Sequence, residues 1–100
     1  MSRLIVCVPL LAGIAAAAHA ADPRGYMLGA ACLACHGNAS AGERGIPPIR
    51  GRDADELRTA LLAFRDGTRD STIMQRLARG YDVDEIALIA NWLEAGGQAP

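Results

Sequence analysis

Cys32-Leu33-Ala34-Cys35-His36 is the stretch on which the reading turns. Two thiols three positions apart on a helical turn share one face. That spacing lets both sulfurs add to the two vinyl groups of one porphyrin, and the next residue, His36, is then placed to give an imidazole nitrogen to the iron. Cys-x-x-Cys-His is the recognised pattern for covalent haem attachment. Three other readings of the pair stay open at this point. Two exported cysteines can close into a structural disulfide. A dithiol redox pair normally sits near a strand–helix–strand pattern, and no segment here alternates at period two. A zinc site wants four ligands, and only one such pair is present.

The rest of the chain makes a cofactor-filled core attractive. It has 100 residues, of which 51% are apolar and 21% charged, which suits one globular domain. That domain is shorter than the chain. Residues 1–20 read as a cleaved secretory leader, with a basic start at Arg3, an apolar run of 15 residues from Leu4 to Ala18, and the small-x-small site Ala18-His19-Ala20. The run is short of the roughly 20 residues a bilayer crossing needs, so no stable membrane span is expected after cleavage. Cys7 and His19 leave with the leader. The expected domain is residues 21–100, placed in the periplasm.

Of the ten basic residues Arg3 lies in the leader, which leaves nine arginines, no lysine and eleven acidic residues, a formal charge of −2. A nearly neutral domain lacks the basic face that nucleic acid demands. So small a chain buries little apolar surface on its own, and domains of this size lean on a disulfide, a metal or a cofactor. Its aromatic residues are only Tyr26, Phe64, Tyr81 and Trp92.

The periodicity predicts an all-α fold of three main helices around one haem, with a long loop between the first two. Asp22-Pro23 caps a helix over residues 24–34. Residues 37–51, with four Gly and two Pro, read as loop. Asp53-x-x-Glu56 resembles a capping box before Leu57, Leu61 and Phe64 at i, i+4, i+7, and Gly67 ends that helix. Residues 71–78 make a short helical turn at most. Asp82-x-x-Glu85 opens the last helix, whose stripe is Ile86, Ile89, Ala90 and Leu93, and Gly96-Gly97 stops it.

The ligands follow by elimination. Beyond the leader His36 is the one histidine, and there is no lysine, so the second axial ligand falls to Met27 or Met74. Met27 precedes Cys32 on the same helix and reads as core filler. Met74, between two helices, is expected on iron, where a thioether raises the potential. A carbonyl from the loop Gly45-Ile46-Pro47-Pro48-Ile49-Arg50-Gly51 is expected to orient the imidazole of His36. Arg50, Arg52, Tyr81 and Trp92 are candidates for the haem propionates.

In this order of motifs the chain resembles the class I cytochromes c: Cys32 to His36 early, Pro47-Pro48-Ile49-Arg50-Gly51 after it, Met74 late, and a terminal helix with Trp92. The resemblance implies a small helical bundle in which the first and last helices cross. It carries the thioethers to Cys32 and Cys35, the proximal ligand to His36, the distal ligand to Met74 and the proximal carbonyl to Pro47. The run Ser71-Thr72-Ile73-Met74, with Ala78-Arg79-Gly80-Tyr81 close behind, is similar to the cytochrome subunit of flavocytochrome c sulfide dehydrogenase. That likeness implies a monohaem electron-transfer subunit, not itself an enzyme. Its donor would be an FAD-bearing flavoprotein that oxidises sulfide, and its acceptor a downstream cytochrome or oxidase. The rival expectations are a freely diffusing cytochrome c, a five-coordinate haem enzyme or sensor, and a haem-free dithiol protein.

Overall fold

The computed structural model describes residues 22–37 and 45–100. The leader, its cleavage site, Cys7 and the part of the loop at residues 38–44 lie outside the described residues.

Helix α1 runs Pro23–Gly29. Its cap is Asp22, whose carboxylate accepts from the Arg24 N–H at 2.9 Å, with Pro23 at the position where a missing donor costs nothing. The single helix expected over residues 24–34 is instead three pieces: α1, a 3₁₀ turn at Ala30–Cys32, and α2 at Leu33–His36. Gly25 and Gly29 hold the regular part weakly. They are there because the Trp92 side chain lies on them: a Cβ at Gly29 would sit 2.5 Å from the Trp92 ring.

Helix α3, Ala54–Asp66, begins as expected, with Asp53 accepting from the Glu56 N–H at 2.9 Å. The reciprocal half of the box is missing, because the Glu56 carboxylate is taken by Arg52. The Ala54 N–H is capped from a distance by Glu94 at the end of the last helix. Gly67 closes α3 at φ 79°, a left-handed turn that a side chain would strain. Helix α4, Met74–Ala78, is one short turn and a half. Helix α5, Val83–Glu94, carries a full capping box. There Asp82 accepts from the Glu85 N–H at 2.8 Å, and the Glu85 carboxylate accepts from Asp82 at 3.0 Å.

Helix α5 is the hub: α1 crosses it on one side, and α3, which also carries α4, packs on the other. The buried apolar residues are Leu57, Ala78, Ile86, Ile89, Ala90 and Leu93. Ile86, Ile89 and Leu93, fully buried, each contribute about 1.5–3 kcal/mol by leaving water. Around them sit half-buried Leu28, Cys32, Leu33, Ile49, Leu61, Tyr81 and Trp92. Among the described residues there is no strand, no buried polar or charged side chain, and no helix long and apolar enough to cross a membrane. The all-α class read from periodicity is the class observed.

Candidate functional site

The 3₁₀ turn and α2 present Cys32, Cys35 and His36 in succession. Both thiols are free. Cys32 is half-buried against the core, and burial pushes its thiol above the ordinary value. Tyr81 lies near it and is also raised, chiefly by burial and then by the charge it would share space with at Cys32. Cys35 is exposed.

His36 is tied to the loop. Its Nδ1–H donates to the Pro47 carbonyl across 2.6 Å. That bond fixes the tautomer and leaves the Nε2 lone pair for a ligand. Gly37 follows at a point where no side chain fits, since a Cβ would lie 2.6 Å from both the Cβ and the carbonyl oxygen of Leu33. The loop is held in turn by the Gly51 N–H on the Leu93 carbonyl at 2.8 Å and by Ile49 against the core.

Met74 is the first residue of α4 and is half-buried. Its turn is capped by Ser71, whose Oγ accepts from the Gln75 N–H at 2.8 Å, while the Gln75 amide donates to the Arg69 carbonyl at 2.9 Å. Its neighbours Ile73 and Leu77 are 57% and 50% exposed. Met27 departs from expectation. At 75% exposed it fills no core, because the buried face of α1 is set by Gly25, Leu28 and Gly29, and Met27 lies off it.

The four propionate candidates divide. Arg50 donates to the carbonyls of Gly37, Gly96 and Gly97. Arg52 pairs with Glu56, and the Trp92 indole N–H donates to the Gln98 carbonyl at 3.0 Å. Only the Tyr81 hydroxyl has no protein partner among the described residues. Sequence reasoning missed the Arg50 bonds, the Glu94 cap and the Ser71 cap. The last had a readable signal, a serine just ahead of the turn; the first two join residues distant in sequence and had none.

The donor set suits haem. Two free thiols three positions apart, an imidazole with one nitrogen already engaged, and a half-buried thioether are groups of the kinds that can hold haem. Leu28, Leu33, Ile49 and Leu61 offer half-buried apolar surface of the kind a porphyrin covers.

Fold and donor set together define a small all-α cytochrome c. Three known proteins bear this out. The chain is 41% identical over 71 residues to the cytochrome subunit of sulfide dehydrogenase of Chlorobaculum tepidum, matching 71% of this chain and 64% of that one. It is 37% identical over 71 residues to the thiosulfate dehydrogenase electron acceptor of Stutzerimonas stutzeri, matching 67% and 33%. It is 36% identical over 63 residues to cytochrome c-554(548) of Halomonas halodenitrificans, matching 59% and 76%. The chain thus spans less than two thirds of the first two relatives. No protein-family model matches it. The chain belongs to the cytochromes c, a family whose cofactor is haem.

Proposed function

We propose that this chain is a periplasmic monohaem cytochrome that relays single electrons, receiving them from an FAD-bearing subunit that oxidises sulfide and passing them to a downstream cytochrome or oxidase. Residues 1–20 are the cleaved export leader and residues 21–100 the cytochrome domain. The observation that carries the proposal is the 2.6 Å bond from His36 Nδ1 to the Pro47 carbonyl, which prepares the other imidazole nitrogen for iron. The donor is suggested by the likeness to the sulfide dehydrogenase cytochrome subunit.

Haem, held through thioethers at Cys32 and Cys35, supplies a reversible one-electron change at iron. Everything else falls to the chain. His36 would ligate the iron, with the Pro47 carbonyl keeping its imidazole oriented and basic. Met74 would be the second protein ligand, and its soft sulfur would favour the reduced metal and raise the potential. With His36 and Met74 both engaged, the residues would hold and tune the group rather than catalyse bond changes.

A visible and near-infrared spectrum of protein exported with its maturation system tests this. A c-type haem spectrum with a sulfur-to-iron band is expected. A colourless protein with a Cys32–Cys35 disulfide would overturn it, and rapid carbon monoxide binding at neutral pH would replace it with a five-coordinate sensor or enzyme. A second reading, a freely diffusing carrier, is favoured by the chain's match to 76% of cytochrome c-554(548). Co-purification with a flavin-containing chain decides between the two.

A further inference from the structure

We infer that Arg50 is a positioning residue for the proximal imidazole: its guanidinium clamps the loop that carries the Pro47 carbonyl onto the end of α2, so that it tunes the iron through His36 without touching the cofactor. The inference rests on the haem reading above.

Two bonds of opposite sense join the segment at His36 and Gly37 to the loop at Pro47 to Arg50. Going one way, His36 Nδ1–H donates to the Pro47 carbonyl at 2.6 Å. Coming back, Arg50 Nε–H donates to the Gly37 carbonyl at 3.1 Å. A single bond would let the two segments pivot about it; a pair fixes both separation and angle. The other arm of the same guanidinium, Nη1, donates to the carbonyls of Gly96 at 3.1 Å and Gly97 at 2.8 Å. Those carbonyls belong to the turn after α5, where Gly97 lies against Leu33 of α2 and against Trp92. One planar fork therefore ties together the end of α2, the loop and the turn after α5.

Pro48 and Ile49 lie between Pro47 and Arg50; the proline ring fixes φ at Pro48 and Ile49 packs against the core. A displacement at Arg50 is passed along that short, constrained link to the Pro47 oxygen. Lysine cannot replace the fork, because a single ammonium on a flexible stem does not hold two separated acceptor groups in one plane. The consequence for the metal has a definite sign. A firm acceptor on Nδ1–H makes the imidazole a stronger donor, which favours the oxidised iron. A loosened acceptor weakens the donor and raises the potential. Loss of a positive charge near the haem does the opposite, since it favours the more positive, oxidised iron and lowers the potential. Arg50→Lys keeps the charge and removes the fork, so it isolates the positioning effect.

The experiment compares exported Arg50→Lys holoprotein with the parent. The reduction potential is measured, together with exchange of the His36 Nδ1 proton by NMR of the reduced form. The expected result is a higher potential and faster exchange in the variant. An unchanged or lowered potential, or an unchanged exchange rate, overturns the inference, even where the melting temperature falls. Arg50→Gln removes fork and charge together and must also show faster exchange, so the exchange readout decides if either variant folds. Failure of the haem reading is distinguishable, since the parent itself would then show no haem spectrum before any substitution is made.

Discussion

The α1–α5 crossing is held by a contact that tolerates no added atom at Gly29. A methyl there would lie 2.5 Å from Trp92 Cε3 and 2.9 Å from Cζ3, both inside any real carbon–carbon approach. The ring is poorly placed to yield. Its indole N–H is bonded to the Gln98 carbonyl at 3.0 Å, and Tyr26 meets it edge-on with centroids 5.9 Å apart. Either α1 lifts from α5 or the ring gives up those partners. Overpacking of this kind costs about 1–3 kcal/mol. In a domain of this size each kcal/mol lowers the melting temperature by about 4–8 °C. Gly29→Ala holoprotein should therefore show an earlier denaturant midpoint, followed by far-ultraviolet circular dichroism. Trp92→Leu, which removes the obstructing ring, should recover part of the loss when combined with Gly29→Ala, giving a coupling energy in a double-mutant cycle. A Gly29→Ala midpoint equal to the parent's, or strict additivity with Trp92→Leu, would refute the reasoning.

Other outcomes follow from single contacts. Met74→Ala should keep haem attached through Cys32 and Cys35 but lower the potential and abolish the sulfur-to-iron band in the near infrared, since the soft ligand that favours reduced iron is gone. Asp82→Ala removes the side-chain half of the α5 capping box and should cost about 1 kcal/mol in chemical denaturation, with Asp82→Asn recovering most of it. Arg24, through its side chain and its N–H, holds the Asp22 carboxyl below the usual carboxylate range. A depressed folded pKa means that this contribution is present above the unfolded value and is lost as pH falls through the folded one. Amide exchange at Arg24 should accordingly show α1 fraying first at acid pH, a dependence that Asp22→Asn, which caps without a charge to lose, should flatten.

What could be read from sequence was local. The α5 stripe of Ile86, Ile89, Ala90 and Leu93 is buried along its whole length, because a helix of period 3.6 gives such residues one shared face. Asp22, Asp53 and Asp82 each cap the helix they precede, since a cap needs only its own first turn. The loop carbonyl sought for His36 is at hand because Pro47 is close in sequence. The break after Gly29 was not legible. Gly25 and Gly29 weaken a helix there but do not mark where it changes, and the tryptophan that packs on them is more than sixty residues away. The spacing of Asp53 and Glu56 suits a capping box, but Glu56 is drawn off by Arg52, a competition that spacing alone does not rank. Charge makes Arg50 one of four candidates for the propionates but says nothing of its bonds to carbonyls of Gly37 and of the turn after α5. Contacts between distant segments left no trace in either periodicity or motif.

Intact mass spectrometry of the exported protein under denaturing conditions addresses the central claim most directly. Attachment through Cys32 and Cys35 predicts a chain heavier by one haem that survives unfolding, and a loss of that stable increment when both cysteines are replaced by alanine. A denatured chain at its bare polypeptide mass, with haem released or absent, would contradict the account.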